Sequence, residues 1–514
     1  MLSRRSLLSS SLLSGGGLAG VVGPIEILLS DIGWTGRPDD EAYANRHFAP
    51  RVVDPLNLER AIPVVPGGAR RSVPTIGDVV IINADGELDT LLTAAVDGRP
   101  VRVLQGPRGG PFSAFDTIFK GTTSAWRQAD DAQISAGVRD ASWQLDVPVT
   151  RPTYAGSGSL EGGSDIKGKF RPLAFGELYN IQPVLVDAAN LVYQFHSRAA
   201  LAVTGCYDGG VAFTPAGDVA DITAASVSPG QFKTQLSGGY VKLGTAPTKT
   251  LTLDVKGDAP AGAYIDRAAE IAFRVLHDFQ GLDDSWFESH TFDALRLDIP
   301  GAIGIYVGIE AITATEVIDQ IMAGVNGWWC SNRLGGIEVG RTSLPLEKPR
   351  ARLAVKDILD FDMVPLPEAI DPPYWRVRVG YRRNWTPLDV TQIGGSIVSG
   401  DPARYAFLTE ASRYVTVEDP TVRTRSLRAQ EFTLESAFAG EADAQAMAEL
   451  IFEVYSAPRQ MARLRTKRQG YKLPLGATIA VDYPRYGLSG GRNVVVVGQG
   501  VAASNVDSFL TVFW

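Results

Sequence analysis

Glycine and proline punctuate this chain from end to end. Of its 514 residues, 54 are Gly and 31 are Pro, spread along the sequence rather than clustered. At that density they mark many turns between short strands. Val79-Val80-Ile81-Ile82 runs into the turn Asn83-Ala84-Asp85-Gly86, and Val101 to Leu104, Asp116 to Gly121 and Ile134 to Asp140 follow, each a short strand bounded by Gly or Asp. That succession is the pattern of a barrel or sandwich. The length exceeds what one core organises and predicts three or four domains. The expected fold class is mainly β, multidomain, with α+β insertions.

Changes of texture divide the chain. Residues 1–24 read as an N-terminal arm, and 25–185 as a first β-barrel. Within the latter, Pro24 to Ile62 reads as one strand with an extended connection, and Pro148 to Pro183 as a long Gly/Pro-rich loop. Loops of that length are usually functional or interfacial. Residues 186–262 read as a β-rich insertion. Apolar residues at helical spacing first become clear from Tyr264 to Phe279. They recur at Val317, Ile318, Ile321, Met322 and Val325, with Thr313 or Thr315 as the cap and Gly327 as the stop. With the strand Ile337 to Gly340 these make an α+β module, 263–345. A second barrel, 346–514, carries a strand at Trp375 to Tyr381, one long helix near 441–455 and a final strand ending at Trp514. Gly77 to Ile81 with Gly98 to Val103 echoes Gly476 to Val481 with Gly491 to Val496, a short match that is either chance or the mark of two related barrels.

Charge and composition exclude several classes. A net charge of −8 supplies no global field to recruit nucleic acid. Cys206 and Cys330, in different sections, build neither a zinc site nor a disulfide framework, and the four His are isolated. Neither a metal nor a cofactor is expected. Arg4-Arg5 before a Ser/Gly/Leu stretch to about Gly23 resembles a twin-arginine export signal, which sets periplasmic localisation beside the alternative of an arm that docks on a neighbouring subunit.

No local pattern carries catalysis. Asn83, Asp85, Glu87 and Asp89 alternate as Ca²⁺ ligands do, but the terminal Glu of an EF-hand loop is missing, so a hairpin turn is expected. Asp130/Asp131 and Asp283/Asp284 read as solvated turns. The Gly-rich runs 106–110 and 156–158 lack the Walker and Rossmann contexts. Trp328 and Trp329 read as structural core, with a sugar-stacking platform as the alternative. Basic residues cluster at Arg376, Arg378, Arg382 and Arg383 and at Arg459, Arg463, Arg465, Lys467 and Arg468. Alternate spacing puts Arg376/Arg378 and Arg463/Arg465/Lys467 on single strand faces, where like charges demand acidic partners from this chain or a neighbouring subunit. These five residues are the candidate subunit interface. Tyr154, Gly156, Lys167 and Lys169 are the candidate interfacial loop.

Several stretches resemble tail-tip hub proteins of long-tailed phages and prophages. They are Gly77 to Leu92 (GDVVIINADGELDTLL), Arg151 to Leu173 (RPTYAGSGSLEGGSDIKGKFRPL), Val184 to Tyr193 (VLVDAANLVY), Ile321 to Val339 (IMAGVNGWWCSNRLGGIEV), Asp371 to Trp385 (DPPYWRVRVGYRRNW) and Leu475 to Leu488 (LGATIAVDYPRYGL). The resemblance runs from about Ile25 to Trp514; the arm departs from it. It implies two tail-tube-like β-barrel domains per chain and a homotrimer presenting a pseudo-sixfold ring at the virion tail tip. The implied neighbours are a distal tail protein ring, a tape-measure protein and tip or fibre proteins, with phage DNA passing through unread. It implies a structural protein and no enzyme. The alternatives are an exported envelope glycan-binding protein and a peptidoglycan hydrolase.

Overall fold

A computed structural model describes residues 4–13, 24–67, 77–467, 470–502 and 507–514. Its first strands are Arg4–Leu13 (β1), Pro24–Ser30 (β2), Trp34–Thr35 (β3), His47–Pro50 (β4), Val52–Asp54 (β5), Asn57–Ala61 (β6), Asp78–Ile82 (β7), Pro100–Pro107 (β8), Asp116–Asp130 (β9) and Gln133–Arg139 (β10). Nine of them form one sheet in the order β3-β4-β2-β1-β8-β9-β10-β7-β5. Arg51 alone separates β4 from β5 in sequence, yet the two lie toward opposite margins of the sheet. The sheet therefore curls until its margins meet. Val79, Ile81, Val101, Val103, Ile118 and Ile134 fill its interior, and β7 alternates inward Val79 and Ile81 with outward Asp78 and Ile82.

Where one strand was expected between Pro24 and Ile62, five stand, β2 to β6. Most are too short for an alternation to show. The arm's Arg4-Arg5 lies in β1, which pairs with β2 and β8. Residues 14–23, the rest of the signal-like stretch, lie outside the described residues.

The insertion contains Leu173–Ile181 (β11), Val184–Asp187 (β12), Val192–Gln194 (β13), Ala200–Asp208 (β14), Val211–Ala212 (β15), Thr214–Asp218 (β16), Gln231–Gln235 (β17), Tyr240–Leu243 (β18) and Leu251–Asp258 (β19). With Gly304–Val307 (β20) they make two five-stranded sheets, β15-β14-β19-β11-β20 and β12-β13-β18-β17-β16. β11 corrects the long-loop expectation, because the loop ends at Leu173. The strand is buried along both faces and shows no alternation to read. It also joins a sheet of the insertion rather than the barrel section in which 25–185 would place it.

The helical module packs Ala268–Arg274 (α1), which continues as a π-helical turn to Phe279, against Ser289–Asp298 (α2) and Ala314–Gly324 (α3). Thr313 is the cap: its Oγ1 accepts from Glu316 N–H at 3.2 Å while Glu316 Oε2 accepts from Thr313 N–H at 2.7 Å. α2 buries only Phe292 and Leu295, too thin a stripe to announce a helix. Gly327–Ser331 (β21) and Ile337–Arg341 (β22) close the module as a hairpin.

The last section holds Arg352–Ala354 (β23), Ile358–Val364 (β24), Tyr374–Tyr381 (β25), Gly395–Gly400 (α4), Pro402–Thr409 (α5), Arg413–Glu418 (β26), Thr421–Arg425 (α6), Gln430–Leu434 (β27), Glu441–Tyr455 (α7), Met461–Lys467 (β28), Thr478–Asp482 (β29), Arg492–Ala502 (β30) and Asp507–Phe513 (β31). Six of these strands follow the order β23-β29-β30-β31-β28-β24, and one 3₁₀ turn, Val355–Asp357, joins the two marginal strands. This sheet curls as the first does. Phe361 of β24 stacks on Tyr483 beyond β29, ring centroids 4.4 Å apart. The strand at Trp375 belongs elsewhere, to a three-stranded sheet β26-β25-β27 backed by α7.

The two curled sheets repeat one path. β5-β7-β10-β9-β8 and β24-β28-β31-β30-β29 match strand for strand, with every pairing antiparallel. A short 3₁₀ turn separates β7 from β8 and, likewise, β28 from β29. The strand before each corner, β4 or β23, runs parallel to its neighbour. The sequence echo set β7 against β29 and β8 against β30, whereas the topology sets β7 against β28 and β8 against β29. The echo is therefore one of turns and not of equivalent strands.

β6 ties the two sheets together. It pairs antiparallel with Gly498 to Ala502 of β30, and Leu58 and Val501 enter the first interior side by side. Arg60, 5% exposed, meets Glu338 of β22 at 3.2 Å, and Tyr455 of α7 donates to the Val64 carbonyl at 2.5 Å.

Candidate assembly surfaces

The basic strips find acidic neighbours within the chain, through strand register. On β28, Ala462, Leu464 and Thr466 point inward, so Arg463, Arg465 and Lys467 point outward. Asp362 of β24 stands opposite Arg463, and Asp360 opposite Arg465. Arg463 also reaches Glu59 of β6 at 3.3 Å, and Lys467 Nζ donates to the Lys356 carbonyl at 2.7 Å. On β25, Arg376 is flanked across both neighbouring strands, by Glu418 at 2.6 Å and Glu431 at 3.4 Å. Arg378 is exposed and lies over the Tyr414 ring at 4.5 Å. Arg468 lies outside the described residues.

The loop at 151–172 is clipped to itself and to the insertion. Tyr154 is 1% exposed and donates to Gln194 Oε1 at 2.7 Å, while Arg171, paired with Glu161 at 2.7 Å, covers its ring. Burial raises the Tyr154 phenol above its ordinary range. Gly156 has φ +71, and a Cβ there would meet Lys167 Cβ at 2.7 Å, so a side chain would suffer both strain and collision. Lys169 pairs with Glu310 at 3.1 Å. Of the four loop residues singled out, Lys167 is the exposed side chain, and Tyr154 is core.

Trp328 and Trp329 lie in β21, at 4% and 0% exposure, and Trp329 Nε1 donates to Asp319 Oδ1 at 2.6 Å. Neither face is open to a sugar. Cys206 and Cys330 are buried free thiols, and burial pushes Cys330 up to about 12. At the turn after β7 a guanidinium stands where a cation would sit: Arg51 donates to both oxygens of Asp85, at 2.8 and 2.6 Å, and to Glu87 at 2.5 Å. The Arg51 bond lowers the Asp85 carboxyl to about 2. Asp130 and Asp283 accept backbone N–H bonds within their own turns, from Ala132 and Ser285. Among the described residues no three His, Cys, Asp or Glu side chains converge as metal ligands.

Buried charge networks escaped sequence reasoning. His196 Nδ1 accepts from Ala174 N–H at 3.0 Å, so its proton sits on Nε2 and is donated to Asp258 at 3.2 Å. Asp258 also accepts from Arg274 Nε at 2.8 Å. Burial, opposed by Asp258, holds His196 below its usual value. No spacing in the sequence brings together residues 62 apart.

No protein-family model and no curated protein matches the chain. Its structural neighbours include prophage tail proteins and a chain of a gene transfer agent virion. It is similar to a 43 kDa tail protein of prophage MuSo2 from Shewanella oneidensis, at 9% identity over 99% of this chain and 96% of that one, with a TM-score of 0.41. A tail protein from Neisseria meningitidis MC58 is similar at 9% identity over 91% and 93%, with a TM-score of 0.38. A chain of a native gene transfer agent virion is similar at 14% identity over 70% and 85%, also with a TM-score of 0.38. All three superpositions are loose.

Proposed function

We propose that this chain is a structural protein of a phage tail: a tail-tip hub whose three copies form a pseudo-sixfold ring between the tail tube or distal tail ring and the tip and fibres, around part of the DNA exit channel. The observation that carries the reading is the five-strand path present twice. Two like barrels in each of three chains make six like units around an axis, which is what a threefold protein needs to seat on a sixfold ring. In this reading Arg378 and Lys167, exposed beside satisfied neighbours, are offered to adjoining subunits. The distal tail ring, tape measure and tip proteins are the partners, and DNA passes without sequence-specific binding.

Burial of Trp328 and Trp329 removes the platform on which an exported glycan binder would depend. The reading is tested by the mass of the full chain in solution at micromolar concentration and low salt. A particle of three chains, seen as a ring with six lobes by electron microscopy, is the expected result. A stable monomer under the same conditions overturns the ring.

A further inference from the structure

Three parts of the molecule meet around a small cavity of about 120 Å³. The connection at 149–152 forms one wall, the turn between β13 and β14 a second, and Phe279 at the end of the π-helical turn the third. Every charged or hydroxyl side chain on these walls is a hydrogen-bond donor: Thr150, Arg151, Ser197 and Arg198. No carboxylate lines the cavity. Thr150 is only 4% exposed. Neither its hydroxyl nor that of Ser197 has a hydrogen-bond partner among the described residues.

Among the described residues neither Arg151 nor Arg198 lies within ion-pair distance of a carboxylate. Arg198 stacks over Phe279 at 3.9 Å, and Arg274 lies over the same ring at 5.4 Å with its own charge taken up by Asp258 and Asp278. Arg198 is exposed overall; its partial burial, then repulsion from Arg274, holds it below its usual value, against a weaker pull from Asp258 and Asp278. The backbone on both sides is fixed: Val149 N–H donates to the Ile312 carbonyl and Ala259 N–H to the Ala199 carbonyl, each at 2.9 Å. Gln280 Nε2 donates to the Val149 carbonyl at 3.2 Å.

We propose that this cavity is an oxyanion site for one phosphate-sized group, held by the Arg151 and Arg198 guanidinia and the Thr150 and Ser197 hydroxyls. Guanidinium forks match pairs of oxygens on a tetrahedral anion. Four donor side chains line the cavity, and a carboxylate with two oxygens leaves part of the set unanswered.

The test uses the full chain, with inorganic phosphate titrated at constant ionic strength and followed by calorimetry and thermal unfolding. Saturable binding with a rise in Tm is expected, weakened about tenfold or more by Arg198→Gln and by Arg151→Gln, while acetate shows no saturable effect. Arg151 is exposed, so its variant folds even if loss of the Phe279 stack harms the other. Methyl phosphate and a short oligonucleotide are then run as competitors. Displacement by methyl phosphate alone identifies a free ion or monoester, and displacement by the oligonucleotide identifies a nucleic acid backbone. No saturable effect of phosphate, or an effect that both variants leave unchanged, overturns the site. Acetate binding as phosphate does overturns its tetrahedral assignment.

Discussion

The two barrels share a path and differ in what is attached to it. In the first, the hairpin β1–β2 is wedged between β8 and the corner strand β4, whereas in the second β23 lies directly on β29. Both send out added chain at one point, after the first strand beyond the corner, β5 or β24. Between β5 and β7 the first sends out β6, which crosses to the other sheet. Between β24 and β28 the second sends out the excursion from β25 to α7. The five-strand wrap is thus constant, and the barrels differ in the pair β1–β2 at one margin and in the chain sent out beyond the corner. The second interior runs on into the helical module as one core, while the first closes on itself with Leu58 and Val501 as its link.

If β6 makes the barrels one cooperative unit, the largest effect comes from its buried charge. Arg60→Ala strands Glu338 and is expected to cost about 3–5 kcal/mol, read as a drop in denaturant midpoint with both barrels lost together. Next come matched interior truncations. Ile81→Ala in the first barrel and Leu510→Ala in the second, both at 0% exposure, are expected to cost about 2–5 kcal/mol each. Calorimetry then tells the barrels apart: a single transition in both variants keeps them one unit, and an early melting step in Ile81→Ala alone separates them.

A smaller effect is set by pH. His196 binds its proton less tightly folded than unfolded, because burial and the Ala174 N–H bond oppose it. Stability is therefore full above the unfolded value near ~6.5 and falls as the pH drops below it. Asp258 is raised by burial but held low on balance by His196 and Arg274, which adds a further loss below the unfolded carboxyl value near ~3.9. Melting temperatures between about pH 7.5 and about pH 5 should show the first step, and His196→Gln should flatten it. The smallest effect is expected from Arg463→Glu with Arg465→Glu, which sets like charges opposite Asp362 and Asp360 at about 0.2–1 kcal/mol per pair. Ring mass measured on the same variant decides whether the strip also faces a neighbour: an unchanged ring removes it from the interface.

What the sequence made legible follows from local physics. The interior of β7, the cap at Thr313 and the stripe on α3 each repeat with a period that a short window detects. β11 was invisible because it is buried on both faces, and α2 because two residues do not make a stripe. The basic strips on β25 and β28 were placed on the right faces, but their partners come from other strands. Only register could supply Glu418, Glu431, Asp360 and Asp362. The cavity around Thr150 and Arg198 had no sequence signal, since its walls come from separate elements.

The strap β6 also bears on biosynthesis. Residues 57–61 leave the ribosome about 440 residues ahead of their pairing partner, Gly498 to Ala502. At roughly 5–20 residues per second, the first barrel waits for tens of seconds with one of its core strands unpaired. A contact of such sequence separation forms late. A chain cut short before Gly498 therefore lacks the partner of β6 and leaves the interior around Leu58 without Val501.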